Sequence, residues 1–128
     1  MNTEPQNAAA VAQRFFDAVE SGDIDTVAAI YHPGAVIWHN HDRMETSARE
    51  NLEVLARFVE RAPVRRYVNR RIIVTPGVFV QQHILEATRT DGRRLSLPAC
   101  VVCQLKDGQI IRLDEYYDTA ALAGWFEQ

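Results

Sequence analysis

The sequence predicts an α+β fold in which helices pack on one face of a curved antiparallel sheet. The first half of the chain shows helical periodicity with capping residues, whereas the second half consists of long runs with strand-like alternation. Two junctions between these runs, Asp91-Gly92 and Asp107-Gly108, have the composition of tight hairpin turns. A sheet curved around helices forms a cone with one open mouth, which suits a small apolar ligand.

Length and composition are those of a soluble globular domain, with 128 residues, 47% of them hydrophobic and 24% charged. The formal net charge of -3 gives no indication of nucleic acid or an anionic membrane as a partner. No run approaches the ~20 apolar residues of a transmembrane helix. Because the N-terminal stretch also lacks the basic region of a secretory signal, we expect a cytoplasmic protein.

Capping residues and apolar periodicity predict three helices before the long strands. The first covers about Thr3–Ser21 and is capped by its first residue. The second is short, follows its cap Asp23 and ends at Ile30. The motif SARE, which begins at Ser47, is a capping box that opens a third helix ending near Arg61.

Five strands are predicted, the last four without a helix between them. They cover Ala35–His41, Arg65–Thr75, Val78–Thr90, Arg93–Lys106 and Gln109–Tyr117. The segment Tyr31–Gly34 is predicted to be a turn before the first strand. A short helix, capped by Asp118 or Thr119, is predicted to run to about Phe126.

Two cysteines, Cys100 and Cys103, have the CxxC spacing of a redox pair but fall inside a predicted strand. Three residues of strand separate their Cα atoms by about 10 Å and turn the side chains to opposite faces. A disulfide needs roughly 4.4–6.8 Å between Cα atoms. We therefore expect two reduced, structural cysteines.

Two polar side chains, His83 and Glu115, interrupt a face that is otherwise mostly apolar in the last three predicted strands. The positions that alternate with them to form this face include Phe79, Gln81, Leu85, Leu95, Leu97, Val101, Leu113 and Tyr117. A carboxylate in an apolar wall either has a partner or sits in a pocket with a perturbed pKa. Such a group suits general acid–base chemistry near neutral pH.

Three segments resemble the NTF2-like superfamily, in particular its SnoaL-like and ketosteroid-isomerase-like proteins. They are SGD at Ser21–Asp23, YHPGAVIWHNHD at Tyr31–Asp42 and DGQIIRLDEYYD at Asp107–Asp118. The resemblance implies one SnoaL-like domain over residues 1–128 with a cone-shaped sheet, the NTF2-like or cystatin-like α+β barrel. It also implies a homodimer. The superfamily includes isomerases, polyketide cyclases, epoxide hydrolases, dehydratases and proteins without catalysis.

The limonene epoxide hydrolase pattern is only partly present. Its Tyr and Asn, two apart on the first strand, are similar to Trp38 and Asn40. Its Arg-x-Asp is similar to Gln81-Gln82-His83, and its last-strand acid to Glu115. Only Asn40 and the carboxylate type are kept, so an epoxide hydrolase is the less favoured activity.

SnoaL-type cyclases use an acidic base on the last strand with a nearby His and Asn, which resembles Glu115, His83 and Asn40. The resemblance also implies that Trp38 and Asn40, on one side of the first strand, face the pocket. We expect Glu115 to act as base with His83 as its partner or proton shuttle, and Asn40 and Tyr117 to donate hydrogen bonds to an oxyanion. The expected substrate-binding residues are Trp38, Tyr117, Gln81, Phe79, Leu113 and Phe16. In the alternative interpretation, Glu115 and His83 are a satisfied internal pair that only stabilises the sheet.

Metal binding is the other chemistry that the histidines could support. His39 and His41 have the spacing of two ligands on one strand face, and His32 is near in sequence. No third or fourth ligand is evident from the pattern. We expect neither a metal nor another cofactor.

Two functions remain open. One is an enzyme that isomerises, cyclises, dehydrates or hydrates an apolar carbonyl, steroid, polyketide or terpenoid-like compound. The other is a binding or dimerisation module with the same fold. The enzyme requires Glu115 and His83 to face a cavity open to solvent, and it is disfavoured if Phe79, Trp38 and Trp125 fill that cavity.

Overall fold

The structure, a computed structural model, describes the backbone of residues 4–125 and the side chains of residues 7–125. Within that part, three helices pack on a curved, unclosed sheet of six strands, as the predicted α+β class requires. The helices are α1 (Glu4–Ser21), α2 (Ile24–Ile30) and α3 (Ala48–Arg61). The strands are β1 (Tyr31–His39), β2 (Glu45–Ser47), β3 (Val64–Thr75), β4 (Val78–Thr88), β5 (Arg94–Lys106) and β6 (Gln109–Tyr117).

The sheet has the strand order β2-β1-β6-β5-β4-β3. Strands β3 to β6 form consecutive antiparallel pairs, as their tight turns predict. Strand β1 differs from the predicted wholly antiparallel sheet because it runs parallel to β6. A hairpin turn imposes antiparallel pairing only on the two strands that it joins, and β1 enters the sheet from α2 instead.

Strand β1 begins earlier than predicted. The segment Tyr31–Gly34, predicted as a turn, belongs to the strand, and the pairing with β6 shifts register between Tyr31 and Val36. The turn prediction is therefore wrong: Pro and Gly sit in an irregular stretch of strand rather than ending it. The three-residue strand β2 was not predicted, since it is too short to show an alternating pattern.

Local capping is as the sequence predicts for α3. The Ser47 hydroxyl accepts from the Glu50 amide at 3.1 Å, and the Glu50 carboxylate accepts from the Ser47 amide at 3.1 Å. The predicted last helix is a single 3-10 turn over Thr119–Leu122, and the Asp118 side chain caps it. The predicted cap Thr3 and the predicted endpoint Phe126 lie outside the described residues.

One arginine fixes two helices to the sheet. The Arg65 guanidinium on β3 donates to the Val19 and Glu20 carbonyls at the end of α1, at 3.0 and 2.9 Å. It also donates to the Val59 carbonyl near the end of α3, at 3.1 Å. The last carbonyls of a helix lack partners within the helix, so the half-buried guanidinium of Arg65 stabilises the ends of both helices at once. This contact sets the position of α3 over the concave face of the sheet.

The two cysteines are free thiols on opposite faces of β5. Cys103 pairs in register with Phe79 and is buried in the core, whereas Cys100 pairs with Gln82 on the convex face. A membrane-crossing helix, long and apolar enough for the purpose, is not found among the described residues.

Candidate active site

The register between β1 and β6 decides which side of β1 faces the interior. Ile37 lies opposite Leu113 and His39 lies opposite Glu115, so these side chains project to the same, concave face. Trp38 projects to the convex face, where its ring packs on Tyr116 with the centroids 5.1 Å apart. The expectation, implied by the family resemblance, that the side of β1 carrying Trp38 lines the pocket is therefore wrong, because the register with β6 turns the side carrying His39 inward.

Asn40 has a structural role rather than the predicted place in the pocket. Its Nδ2 donates to the Tyr117 carbonyl at 2.9 Å, and its Oδ1 accepts from the Tyr117 amide at 3.1 Å. The side-chain amide thus continues the pairing of β1 with β6 beyond the end of β1. Both of its polar groups are used, which corrects the prediction that Asn40 donates to a reacting oxygen.

A cavity of about 560 Å³ lies between the concave face of the sheet, α3 and the C-terminal segment. This volume is within the range of small-molecule sites. Its apolar wall includes Leu55, Phe58, Leu85, Leu95, Leu97 and Trp125. Its polar wall includes His39, His41, Asn51, Tyr67, Glu115 and Tyr117. The cavity is therefore apolar in most of its wall, with polar side chains from β1, β6, β3 and α3.

Glu115 is paired with His39. The distance from Glu115 Oε1 to His39 Nε2 is 3.1 Å, and the side chains are 21% and 23% exposed. Burial lowers the pKa of His39, but the hydrogen bond and charge of Glu115, together with the charge of Asp42, raise it by more. The net effect is a raised pKa for His39, so the ion pair persists to higher pH than an isolated histidine would allow.

Tyr117 is hydrogen-bonded to His41, which lies in the turn that follows β1 and lines the cavity. Its hydroxyl contacts His41 Nδ1, and His41 Nε2 lies 3.4 Å from Asp42 Oδ2. Burial raises the pKa of Tyr117, and the negative charges of Glu115 and Asp42 raise it further. The phenol therefore stays protonated and can act as a hydrogen-bond donor.

Two further polar groups in the cavity are not among the predicted site residues. Tyr67 lines it from β3, and among the described residues no hydrogen bond involves its hydroxyl. Burial raises the pKa of Tyr67, and the charge of Glu115 adds to the effect. Asn51 lines it from α3, where its Oδ1 accepts from the Tyr31 hydroxyl at 2.6 Å. The alternation of β3 could have indicated Tyr67, but a polar residue inside the apolar stripe of a helix carries no comparable signal.

His83 does not reach Glu115 and does not line this cavity. Strand β5 lies between β4, which carries His83, and β6, which carries Glu115. The strands β4 and β6 are therefore about 10 Å apart. His83 instead packs against the rings of Phe16 and Tyr67, and its Nδ1 lies 3.0 Å from Gln81 Nε2. The partner predicted for Glu115 is therefore wrong, since strand parity places two residues on one face without making them neighbours.

Burial lowers the pKa of His83 to about 4, so its ring is neutral near pH 7. With Nδ1 accepting from the Gln81 amide, the proton is on Nε2. That buried nitrogen has no hydrogen-bond partner among the described residues. A neutral, enclosed imidazole is a core group rather than a proton shuttle open to substrate.

Most of the predicted substrate-binding residues belong to the core instead. The side chains concerned are Phe16, Phe79, Gln81 and Leu113, which are buried beneath the cavity wall. Of the predicted set, Glu115 and Tyr117 line the cavity. The predictions for these four core residues are wrong because alternation marks an inward-facing position but does not say whether a helix covers it. Here α1 packs over this part of the sheet and contributes Phe16 itself.

His39, at the end of β1, and His41, in the turn after it, do face each other, with ring centroids 5.9 Å apart. Among residues with described side chains, however, no group of three or more His, Cys, Asp or Glu is arranged to hold a metal ion. Each ring is instead hydrogen-bonded within the site, His39 to Glu115 and His41 to Tyr117.

Comparison with known proteins gives a family and a fold. The sequence model of the SnoaL-like domain matches residues 12–113. A search of curated proteins found no match. Among solved structures, an LEH-like epoxide hydrolase from M. tuberculosis is similar at a TM-score of 0.80 and 21% identity, with 94% of this chain and 89% of that chain covered.

Two other similar structures have different names. A candidate polyketide cyclase from Xanthomonas campestris matches at a TM-score of 0.81 and 17% identity, covering 91% of this chain and 94% of that one. A candidate isomerase from Bacillus subtilis matches at a TM-score of 0.81 and 11% identity, covering 95% and 93%. At these identities the three structures establish the fold alone.

Proposed function

This chain belongs to the SnoaL-like domain family, and from that premise we propose that it is a cofactor-independent acid–base enzyme acting on a small apolar carbonyl compound. The observation that carries the proposal is the Glu115–His39 pair in the wall of a largely apolar cavity. A carboxylate in such a wall is a suitable base for a carbon acid, because the apolar surroundings exclude water that would compete for it. Isomerisation, cyclisation and dehydration all begin with this proton transfer.

Glu115 is the proposed base. His39 holds Oε1, and Oε2 accepts the proton from the carbon next to the substrate carbonyl. The electron pair of that C–H bond moves to the carbonyl oxygen as an enolate. Return of the proton from Glu115 to another carbon completes an isomerisation. Attack of the enolate on a second carbonyl closes a ring, and the new alkoxide takes the proton from Glu115. In a dehydration the β-hydroxyl takes that proton and leaves as water while the enolate re-forms the carbonyl.

Hydroxyl and amide donors around the cavity would stabilise the enolate oxygen. Tyr67 has a hydroxyl with no other partner among the described residues, and the raised pKa keeps its proton in place. Asn51 is oriented by Tyr31, which uses its Oδ1 and leaves Nδ2 to donate. Tyr117 donates when His41 holds a proton on Nδ1, because the hydroxyl oxygen then accepts from the histidine.

Deuterium exchange tests the reaction class without knowledge of the natural substrate. A steroid ketone and a β-diketone would be incubated with the protein in D2O, and incorporation beside the carbonyl followed by mass spectrometry. We expect exchange with the wild-type protein and a loss of at least about 100-fold in Glu115→Gln. The matched control is Glu86→Gln, an exposed glutamate on β4, which should exchange like wild type.

The same panel separates the alternatives. Unchanged exchange in Glu115→Gln would contradict the proposed base. Binding of the ketones without exchange would favour a non-catalytic binding module. A limonene-type epoxide belongs in the panel, although the amide of Asn40 is used by the backbone of Tyr117, which removes one of the two matches to the hydrolase pattern.

A second copy of the chain is the proposed partner of the convex sheet face. Ile73 and Tyr116 are 70% and 49% exposed, and both project to that face. The Tyr116 ring adjoins that of Trp38 on the same face, and exposed apolar side chains that lie next to each other favour association. Light scattering should give twice the monomer mass of 14.5 kDa, and a monomer would contradict this proposal.

A further inference from the structure

We propose that the cavity contains a subsite, formed by Arg57 and Arg61 of α3, for the anionic head group of an otherwise apolar substrate. The inference rests on the proposed function for the reacting end of the molecule and adds its other end. The substrate class would be a long-chain oxo acid or its phosphate-bearing equivalent. Both head groups present the same chemistry, which is an anion with oxygens that two guanidinium groups can bind.

The placement of the two arginines comes from the helix. Both side chains line the cavity, together with Val54 and Phe58 on the same side of α3. Residues four apart on a helix have Cβ atoms about 5–6 Å apart on one face. The two guanidinium groups can therefore converge on one anion at the edge of the apolar wall.

The charge of this end of the cavity is not balanced within the described part of the chain. Arg57 and Arg61 have no ion-pair partner there, whereas Arg49 on the same helix lies 3.9 Å from Glu53. Arg89, which also lines this end, is paired with Asp91 at 3.0 Å and lies over the Trp125 ring. Asp91 also contacts Arg93 at 3.5 Å, and Glu53, the cavity-lining carboxylate one turn before Arg57, lies next to Arg49. Guanidinium groups therefore outnumber carboxylates at this end, and the excess positive charge faces the cavity.

Helix polarity accounts for only part of this arrangement. A cation in the last turn of a helix is stabilised by the free carbonyls there, which would explain Arg61. Arg57 lies one turn further from that end, so the effect of the helix dipole on it is weaker. Its position on the cavity side is explained by a ligand that carries negative charge.

The reacting pair and the arginines lie at different ends of the cavity. The end of α3 at Arg61 is held to the β4–β5 turn, since the Thr90 amide donates to the Arg61 carbonyl at 3.1 Å. The start of α3 follows β2, which pairs with β1, the strand of His39. From Glu50 to Arg61 the helix rises about 16 Å, with Phe58 and Leu97 along the way. A ligand that spans this length needs an apolar body between a carbonyl and an anion.

Calorimetric titration with three twelve-carbon probes tests the subsite: laurate, dodecyl phosphate and dodecanol. We expect the anions to bind the wild-type protein about tenfold more tightly than the alcohol, which corresponds to about 1.4 kcal/mol. In Arg57→Gln/Arg61→Gln the anion affinity should fall to that of the alcohol, whose own binding should not change. Arg49→Gln is the matched control and should bind all three probes like wild type. The tighter of the two anions identifies whether the head group is a carboxylate or a phosphate.

Equal binding of anion and alcohol by the wild-type protein would overturn the subsite, and so would unchanged laurate affinity in the double variant or no binding of any probe. These outcomes are independent of the deuterium exchange assay. If exchange depends on Glu115 but the double variant binds laurate normally, the subsite is wrong and the proposed chemistry stands. If anions bind through Arg57 and Arg61 but no exchange occurs, the subsite stands and the proposed chemistry is wrong.

Discussion

His39 and His83 lie on the same concave face of one sheet, yet their surroundings shift their pKa values in opposite directions. His39 lines the cavity and contacts the carboxylate of Glu115, whereas His83 is enclosed by aromatic rings and contacts only the amide of Gln81. Burial lowers the pKa of both rings, but only His39 has an adjacent carboxylate that outweighs it. A histidine on an apolar face thus becomes a candidate acid–base group only where a charged partner and a cavity adjoin it.

The largest expected difference is in the response of stability to acid. Between pH 6.5 and about 4 the unfolded state protonates His83 and the folded state does not, so the free energy of unfolding falls as the pH falls. The effect amounts to about 3 kcal/mol over that window. Urea unfolding of wild type and His83→Gln between pH 4 and 7 measures it, since all other titrating groups are common to both. Parallel curves would show that His83 is not held neutral.

The next effect concerns activity. In His39→Asn the carboxylate of Glu115 loses its charged partner, so we expect deuterium exchange to fall by about 30-fold, or about 2 kcal/mol of transition-state stabilisation. His83→Gln, which keeps a polar group beside Gln81, should lose less than threefold, about 0.6 kcal/mol. Equal losses in the two variants would remove the distinction between a site histidine and a core histidine.

A smaller effect is expected from the partner of His83. Gln81→Met leaves the buried Nδ1 without a donor, and the free energy of unfolding should fall by about 1–2 kcal/mol. Gln82, the next residue, provides the control, because its side chain contacts Arg71 on the exposed face. Gln82→Met should lower the free energy of unfolding by less than about 0.5 kcal/mol. Thermal or urea denaturation at pH 7 compares the two. Similar costs would mean that the buried hydrogen bond contributes nothing measurable.

The smallest effect is the contribution of His39 to the pH dependence of folding stability. Its sign is opposite to that of the His83 contribution. The folded-state pKa of His39 is raised, so its stabilisation is fully present below pH 6.5 and is lost as the pH rises through the folded-state value. Wild type should therefore lose some stability between pH 6.5 and 8 that His39→Asn does not lose. A steeper decline in the variant would contradict the ion pair with Glu115.

Much of the fold could be predicted because its signals are local. The capping box at Ser47 needs only residues three apart, and the Asp91-Gly92 turn needs only two. Alternation along β4, β5 and β6 correctly put Glu115 and Tyr117 on the concave face. The bulged start of β1 was misjudged because Pro and Gly give the same signal in a turn and in an irregular strand.

The site could be predicted only in part, because its geometry depends on neighbours that are distant in sequence. Alternation identifies Glu115 as a carboxylate among apolar positions, but it suggests His83 on β4 as the partner, whereas the structure pairs Glu115 with His39 on β1. The hairpin turns do place β5 between β4 and β6, but alternation gives only the face on which a residue lies and not its distance from another residue. Nothing in the pattern indicates that the side of β1 carrying His39 is the inner one. The same limit applies to Asn51, whose access to the cavity depends on how α3 is held over the sheet.

The sequence by itself determined the element types, most of their boundaries, the hairpin order of the last four strands and the presence of one carboxylate in an apolar strand face. These depend on periodicity and on interactions between residues a few positions apart. The tertiary structure decided the parallel pairing of β1 with β6, and with it the choice of His39 over His83 as the partner of Glu115. That pairing joins residues 76 positions apart, and it is selected by the packing of helices on the whole sheet, which no local pattern encodes.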